Sequence, residues 1–367
     1  MSSPIPRSSI LDIEPYVGGE SSALGINSII KLSSNENPFG PSPLAKKAYI
    51  KATNELHRYP DGSYEKLRGS IANLHKIDSN KIVCGAGSDE IISLICLAYS
   101  GPGDTVLYSQ HGFLMYPISA KAAGAQPIYA KETNLTSNVN ALLKTVSDST
   151  RLLFLANPNN PTGTYLSQDE LWNLRRNLRE DIILVIDAAY AEYASRNDYS
   201  PGIDLVEEFD NVVMTRTFSK IYGLGGIRLG WAYCPSKIAD VLNRIRGPFN
   251  VSTPAIETGI AALKDKSFID KSRKHNDTWL AWTHEKVHNL GLKSPNSAGN
   301  FLLVQFPKEQ KNKVTTAEAA NIFLKDRGIL VRRMEAYGLE NCLRITIGQE
   351  FEMKKTIESL KRFLEQL

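Results

Sequence analysis

The chain has 367 residues, of which 42% are hydrophobic and 22% are charged, and its 43 basic and 39 acidic side chains give a net charge of +4. This composition excludes a disordered or fibrous chain and supplies enough apolar material for about two domains. The small net charge argues against nucleic acid as the main partner, and no run of 18 or more apolar residues is present that could span a membrane.

The N-terminal segment 1–16 contains prolines and no apolar core, which does not fit a signal peptide. The four cysteines of the protein are scattered along the chain without a C-x-x-C pair, which is typical of proteins in a reducing compartment. No histidine is paired with a cysteine at zinc-ligand spacing. We therefore expect a cytoplasmic protein without disulfides and without a metal site.

Residues 1–55 are rich in proline and polar turn formers, which predicts an irregular N-terminal arm rather than a core element. From residue 81 onwards, short apolar runs alternate with helical patterns. The predicted strands are 81–84, 105–109, 151–156, 181–187, 211–215 and 229–234. The predicted helices are 88–100 (capped near Ser88 or Asp89), 115–124, 167–179 (capped by Ser167) and 235–246. This α/β alternation predicts a mostly parallel sheet covered by helices on both faces.

The last third of the chain has a different pattern. Helical stretches over 256–290 are followed by predicted strands at 300–306, 329–332 and 343–347, with a helix at 316–327 between them. The final helix carries an apolar stripe formed by Met353, Ile357, Leu360, Phe363, Leu364 and Leu367. We predict a smaller C-terminal α+β domain at 261–367, a large domain at 56–260, and an arm at 1–55 that contributes to the small domain and the active site.

Lys220 follows a predicted strand and precedes a glycine-rich loop. Most lysines in such a place are surface residues, but this one has Thr217 and Ser219 before it and Arg228 after it. Hydroxyl groups, a guanidinium and closely approaching glycine backbone together suit a phosphate group. The segment therefore predicts an anion site beside a lysine amine.

Asp187 ends the most apolar predicted strand, and the carboxyl end of such a strand is where open α/β sheets bind ligands. A helix cap, a structural ion pair and a partner for a buried cation all remain open for this carboxylate. Tyr190 follows three residues later and serves either packing or ligand contact. The proline-rich turn at 157–163 either closes a loop or aims one of its asparagines at a ligand.

The segment 85–90 is a glycine-rich junction between a strand and a helix, where backbone N–H groups form an anion site. Neither this segment nor 223–228 has the glycine spacing of a dinucleotide fingerprint, and no P-loop motif occurs. These failures argue against a nucleotide-binding oxidoreductase.

Taken in order, these residues resemble the fold-type I pyridoxal-phosphate aminotransferases and, more closely, the histidinol-phosphate aminotransferase family. The shared motifs are N-E-N-P at 35–38, R-Y-P at 58–60, G-S-D-E at 87–90, N-P-T-G at 160–163, Asp187 with Tyr190, Lys220 with Arg228, and V-R…Y-G-L…L-R-I-T-I-G within 331–348. The resemblance covers nearly the whole chain, from about residue 15 to 348. It implies transamination of L-histidinol phosphate with 2-oxoglutarate, giving imidazole-acetol phosphate and glutamate, in histidine biosynthesis.

The resemblance also implies roles for single residues around pyridoxal phosphate. Lys220 binds the cofactor covalently and then carries a proton, and Asp187 keeps the ring nitrogen protonated. Asn160 and Tyr190 contact the phenolic oxygen, and Phe113 stacks on the ring where a tyrosine is common in the family. The implied phosphate ligands are the backbone of Ser88 and Asp89, the side chains of Thr217, Ser219 and Arg228, and Tyr59 of the partner subunit in a homodimer.

For the substrate, the resemblance makes Arg344 the anion clamp, assisted by Arg332, Tyr16 and Asn35. Since a guanidinium also suits a carboxylate, aromatic amino acids are expected as secondary substrates. The alternatives are an aromatic aminotransferase, a same-fold decarboxylase acting on an amino acid phosphate, and a non-catalytic binding protein. The intact set of Lys220, Asp187 and Arg228 disfavours the last of these.

Overall fold

The computed structural model describes residues 3–22, 25, 28–307 and 315–365. The strands in these ranges are β1 (Ile30–Lys31), β2 (Ile82–Gly85), β3 (Thr105–Ser109), β4 (Gln126–Ala130), β5 (Thr150–Ala156), β6 (Ile183–Asp187), β7 (Val212–Thr217), β8 (Gly230–Tyr233), β9 (Phe301–Gln305), β10 (Ile329–Leu330), β11 (Arg332–Arg333) and β12 (Cys342–Thr346). The α-helices are α1 (Ser8–Leu11), α2 (Pro43–Ala52), α3 (Glu65–His75), α4 (Ser88–Tyr99), α5 (Met115–Ala123), α6 (Val139–Thr145), α7 (Gln168–Asn177), α8 (Ile203–Glu208), α9 (Ser236–Ile245), α10 (Thr253–Lys264), α11 (Lys266–Asn289), α12 (Ala317–Lys325) and α13 (Glu350–Glu365).

A seven-stranded sheet with the order β2-β8-β7-β6-β5-β3-β4 forms the centre of the molecule. The five strands β3, β4, β5, β6 and β7 are parallel to one another, and β8 runs antiparallel to both of its neighbours, β2 and β7. The predicted α/β architecture with a mostly parallel sheet is therefore confirmed. Parallel pairing aligns the carboxyl ends of β5, β6 and β7 at one edge, where Ala156, Asp187 and Thr215 lie side by side.

The central strands are apolar along their whole length because helices cover both faces of the sheet. Leu153 and Leu155 of β5 belong to the apolar cluster on one face, and Leu152 and Phe154 belong to the cluster on the other. All four side chains are almost completely buried. The alternation of side chains along a strand thus supplies both layers of core from one continuous apolar run.

A second unit is built from both ends of the described chain. The antiparallel sheet β11-β12-β9 lies next to a two-stranded parallel pair formed by β1 and β10. Its apolar core joins Ile30 and Leu32 to residues of the last third, among them Val287, Leu343 and Met353. The predicted boundary at residue 260 falls inside α10, and the domain division itself stays a prediction.

Helix ends follow local sequence signals, with one difference from the expectation. Ser167 caps α7 as predicted, and the side chain of Glu170 closes the box by accepting the backbone N–H of Ser167. Helix α4, in contrast, is capped by Gly87 with φ of 91°, so Ser88 is the first helical residue rather than the cap. The left-handed backbone at that point favours glycine.

The segment expected to be irregular contains a helix that packs against the core through one face. Pro43 is the first residue of α2, and the side chain of Ser42 accepts a hydrogen bond from the backbone N–H of Ala45. Ala45 and Ala52, on the inner side of the helix, are buried. The prediction of a coreless arm was wrong here because proline is well tolerated in the first turn of a helix. Elements α3, α6, α8 and β4 were also not predicted, and Leu367 of the predicted stripe lies outside the described ranges.

Two further features complete the fold. Cys84, Cys96, Cys234 and Cys342 are free and buried. No helix within the described ranges combines the length and the apolar character needed to cross a membrane.

Candidate active site

A cavity of about 350 Å³ opens at the carboxyl edge of the large sheet and is closed on its other side by the small unit. Every predicted site residue lines it except Tyr59. These residues are Tyr16, Asn35, Ser88, Asp89, Phe113, Asn160, Asp187, Tyr190, Thr217, Ser219, Lys220, Arg228, Arg332 and Arg344. Residues from the whole length of the chain thus meet in one place.

Asp187 lies at the floor of this cavity and is 5% exposed. Its carboxylate accepts hydrogen bonds from Tyr116 Oη at 2.8 Å and from Thr215 Oγ1 at 3.1 Å. Burial raises the pKa of Asp187 to about 6, although both hydrogen bonds favour the charged form. No lysine or arginine of the described chain pairs with it, so the carboxylate is suited to a cationic ligand.

Lys220 projects into the cavity from the loop that follows β7. Its neighbours Phe218 and Ile221 are fully buried and hold this loop against the core. Nζ of Lys220 lies 3.4 Å from the carbonyl oxygen of Ser34 and 5.6 Å from the centre of the Tyr190 ring. Lys220 and Asp187 both line this cavity.

An anion cradle lies between the start of α4 and the loop before β8. Arg228, at φ of 57°, places its guanidinium 3.1 Å from Asp89 Oδ2 and 3.4 Å from Ser219 Oγ. A Cβ atom on Gly87 would lie 2.4 Å from Arg228 Nη2, so a side chain at that position would push the guanidinium away. Backbone N–H groups at the start of α4, a guanidinium and hydroxyl groups together suit a phosphate.

Arg344 enters the cavity from β12 and is almost fully buried. Its Nη1 donates to Asn160 Oδ1 at 2.5 Å and its Nη2 donates to the carbonyl oxygen of Ser33 at 2.9 Å, whereas the buried Nε has no partner among the described residues. Burial lowers the pKa of Arg344. A buried cation held only by neutral acceptors is suited to an anionic ligand.

Arg332 lies directly opposite Arg344 in the pairing of β11 with β12, as expected for neighbouring strands. Its Nη2 donates to the carbonyl oxygen of Val17 at 2.5 Å, and its guanidinium lies 5.9 Å from the centre of the Tyr16 ring. The N-terminal segment is thereby held at the mouth of the cavity. Arg332 and Tyr16 stand together on the wall that faces solvent.

Asn35 and Phe113 line the cavity with different parts of their side chains. The buried amide of Asn35 donates to Tyr190 Oη at 2.9 Å and accepts from Thr346 Oγ1 at 3.1 Å. Phe113 meets Tyr116 and Tyr16 edge to face, at centroid distances of 5.9 and 6.5 Å. Phe113 thus gives the cavity an apolar surface, and Asn35 connects Tyr190 to Thr346 by hydrogen bonds.

Tyr59 stands apart from this cavity. It is 84% exposed and stacks on Phe249, with ring centroids 4.9 Å apart. Neither ring belongs to the residues that line the cavity.

Sequence reasoning missed four residues that hold the site together: Tyr116, Thr215, Ser34 and Thr346. Thr215 could have been predicted from the sequence, because the parallel strands β6 and β7 end together and their register places it beside Asp187. Tyr116, Ser34 and Thr346 carry no local signal, since their partners are distant in the chain.

A seven-stranded sheet with a buried carboxylate at the end of one strand and a lysine after the next defines the cofactor half of an aminotransferase. The model of the family described as aminotransferase class I and II matches residues 27–360. The chain therefore belongs to the class I and II aminotransferases, and it is an enzyme of that kind.

Within this family, two relatives and one solved structure share the name histidinol-phosphate aminotransferase. The histidinol-phosphate aminotransferase of Paramagnetospirillum magneticum is 55% identical over 364 residues, which cover 99% of each chain. That of Rhodospirillum rubrum is 53% identical over 361 residues, covering 98% of this chain and 97% of the relative. The crystal structure of histidinol-phosphate aminotransferase from Sinorhizobium meliloti in complex with pyridoxal-5'-phosphate matches with a TM-score of 0.88 at 25% identity, covering 99% of both chains.

Proposed function

We propose that this chain is a pyridoxal-phosphate-dependent aminotransferase that converts L-histidinol phosphate and 2-oxoglutarate into imidazole-acetol phosphate and glutamate, in histidine biosynthesis. The carrying observation is the pair Arg332 and Arg344, which face each other across β11 and β12 in the cavity that holds Lys220. Two guanidiniums offer more to a phosphate dianion than to a carboxylate. Relatives that are about half identical over nearly the whole chain support the same substrate.

The residues present fit pyridoxal phosphate. Asp187 is a buried carboxylate without a cationic partner among the described residues, which suits a protonated ring nitrogen. The cradle of Gly87, Ser219 and Arg228 suits the phosphate, because a side chain on Gly87 would collide with the guanidinium. When bound, this cofactor supplies an electron sink for the bond that breaks at the substrate carbon.

The surrounding side chains divide the remaining work. Nζ of Lys220 takes the proton from the substrate carbon that bears the amino group and later returns a proton. The carboxylate of Asp187 keeps the positive charge on the ring nitrogen. Phe113, Asn160 and Tyr190 line the same cavity. Phe113 would provide an apolar surface for one face of the ring, and Asn160 and Tyr190 would supply polar groups to its phenolic oxygen.

The substrate anion binds at the other wall. Arg344 has a fixed position because Asn160 and Ser33 hold two of its nitrogens. Arg332 adds a second guanidinium beside Tyr16 at the cavity mouth. An anion placed between the two arginines offsets the cost of burying Arg344.

The proposed active unit is a homodimer whose two sites are shared. The turn after α2 and the helix itself expose Tyr49, Ile50, Leu56 and Tyr59 close together in sequence. Such an apolar patch favours contact with a second copy, which brings Tyr59 of the partner subunit to the phosphate cradle. The free cysteines fit a reducing compartment, so we place the enzyme in the cytoplasm.

Single-turnover absorbance measurements of the cofactor-loaded enzyme test the function. We expect the visible absorbance of the bound cofactor to decrease faster with L-histidinol phosphate than with phenylalanine or tyrosine at equal concentration. Glutamate should form once 2-oxoglutarate is added. Faster reaction with phenylalanine or tyrosine would identify an aromatic aminotransferase instead. Release of carbon dioxide from an amino acid phosphate would identify a decarboxylase.

A further inference from the structure

Asn35 lies between β1 and α2 and connects the small unit to Tyr190. It is 1% exposed, and its backbone is left-handed with φ of 55°. Thr346 at the end of β12 contacts both its backbone and its amide, while Asn300 Nδ2 donates to its carbonyl oxygen at 3.0 Å. Its position is therefore set by the small unit, although its amide reaches Tyr190 of the large one.

The hydrogen bonds between Asn35 and Thr346 determine which way the side-chain amide of Asn35 points. The backbone N–H of Asn35 donates to Thr346 Oγ1 at 2.9 Å, so that hydroxyl is already an acceptor. Thr346 is buried, and its own proton needs an acceptor, which Asn35 Oδ1 supplies at 3.1 Å. With the oxygen so placed, the Nδ2 group must face Tyr190, where it donates to Oη at 2.9 Å.

The hydrogen bonds of Asn35 also fix the proton of Tyr190. Because Tyr190 Oη accepts from Asn35, its own O–H points elsewhere, and the described chain offers it no acceptor within hydrogen-bonding distance. Tyr190 itself lines the cavity. Its proton is therefore available to a group bound there.

We propose that Asn35 and Thr346 are positioning residues that aim the O–H of Tyr190 into the cavity, towards the phenolic oxygen of bound pyridoxal phosphate. This inference rests on the proposed function and deepens it. A donor to the phenolic oxygen weakens that oxygen's hold on the proton of the neighbouring nitrogen, which comes from Lys220. Through Asn35, the position of β12 thus influences how readily that nitrogen loses its proton.

The isosteric substitution Asn35→Asp reverses the polarity of the contact. A carboxylate accepts where the amide donated, so Tyr190 turns its proton away from the cavity. We expect the pH midpoint of the bound cofactor's visible absorbance change to rise by about one pH unit, the size expected for one lost hydrogen bond to a charged group. The midpoint is read from spectra without substrate and does not depend on turnover.

The new negative charge of Asn35→Asp acts in the same direction, so it must be separated from the change of polarity. Tyr190→Phe removes the donor without adding charge and should raise the midpoint by a similar amount. In the Tyr190→Phe background, Asn35→Asp should add only the part of the shift that comes from its charge, which is less than it adds to the wild type. Thr346→Val, which leaves the amide free to turn, should give a smaller rise that disappears in that background.

The other ionisable groups near Tyr190 are unchanged in all these variants. They are Lys220, whose Nζ lies over the ring, Asp187 and Arg344, which line the same cavity, and the phenols of Tyr116, Tyr193 and Tyr337. Asn300→Ala is the matched control, because it loosens the same segment without touching the amide of Asn35. It should leave the midpoint in place. Thermal unfolding and cofactor content are measured first, so that only folded, loaded variants are compared.

The outcomes separate the inference from the proposed function. If the wild-type chain binds no pyridoxal phosphate, the proposed function fails. If it binds the cofactor and transaminates, yet Asn35→Asp and Thr346→Val leave the midpoint unchanged, the positioning role alone is overturned. Fully additive shifts in the Asn35→Asp and Tyr190→Phe cycle would also overturn it, because charge acting through space would then explain the effect.

Discussion

The two walls of the cavity bury opposite charges in different ways. On the wall formed by the large sheet, burial raises the pKa of the Asp187 carboxyl, which has only neutral donors around it. On the wall formed by the small unit, burial lowers the pKa of the Arg344 guanidinium, which has only neutral acceptors. Each wall therefore holds a charge that gains when a ligand of opposite charge binds between them.

The walls also differ in how they are built. The cofactor wall takes its groups from consecutive parallel strands whose ends meet by topology, as Asp187 and Thr215 do. The substrate wall depends on contacts between opposite ends of the chain, such as Asn35 with Thr346. We infer that changes in the first wall abolish chemistry, whereas changes in the second alter selectivity.

The largest expected effect comes from the cofactor wall. Lys220→Ala removes both the covalent attachment and the proton carrier, so turnover should fall by about 10⁴-fold or more. The visible absorbance of the reconstituted protein should change as well. Lys264→Ala, at the exposed end of α10, is the matched control and should behave like the wild type. Steady transamination by Lys220→Ala would remove Lys220 from its role.

A neutral isostere at the floor of the cavity should separate activity from stability. Asp187→Asn should lower turnover by roughly 10²- to 10³-fold, because the ring nitrogen loses its ion pair. Since the folded-state pKa of Asp187 is raised from 3.8 to about 6, the wild-type protein without cofactor loses stability as pH rises from 4 to 6. The variant should therefore be more stable at pH 7 by up to about 3 kcal/mol.

Denaturant unfolding of the two cofactor-free proteins at several pH values checks this prediction. The pH-dependent part of the difference in unfolding free energy should shrink as pH falls and vanish below about pH 3, where the Asp187 carboxyl is protonated in both the folded and the unfolded protein. Equal stability at pH 7 would mean that the buried carboxylate carries no cost.

The substrate wall is tested by the ratio of kcat/KM for L-histidinol phosphate to that for phenylalanine. Arg344→Ala should reduce both values by roughly 10²-fold, since either anion needs this buried guanidinium. Arg332→Ala should lower the ratio by about tenfold, because only the phosphate uses both arginines. Arg333→Ala is the control, since its side chain pairs with Glu318 and Glu335. An unchanged ratio in Arg332→Ala would make that residue structural.

The smallest signal comes from the shared site. Mixing the inactive protomers Tyr59→Ala and Lys220→Ala should restore up to about a quarter of wild-type activity: half of the dimers are hybrids at random association, and each hybrid has one intact site. Hybrid formation is confirmed with two affinity tags. A confirmed hybrid without any recovered activity argues against a shared site.

The cofactor wall was largely predictable from the sequence, for a physical reason. Asp187 ends one apolar strand and Lys220 follows the next, and the rule that parallel strands end at one edge brings both to one cavity. The α2 helix was not predicted, because the prolines of this segment favour irregular structure. Pro43, however, stands in the first turn of the helix, where proline is well tolerated. Asn35 was predicted as a site residue, but its contact with Tyr190 was not, and neither was the contact of Tyr116 with Asp187, because no periodicity links residues so far apart.

The pairing of β1 with β10 also has a consequence for the order in which a newly made chain assembles. The backbone of Ile30 and Leu32 bonds to that of Gly328 and Leu330, so this strand has no partner until the last part of the chain is made. All strands of the large sheet are complete by Tyr233. At 5–20 residues per second, an N-terminal strand emerging from the ribosome stays unpaired for about 15 to 60 seconds. The strands of the large sheet are thus complete first, and β1 stays unpaired until synthesis is nearly finished.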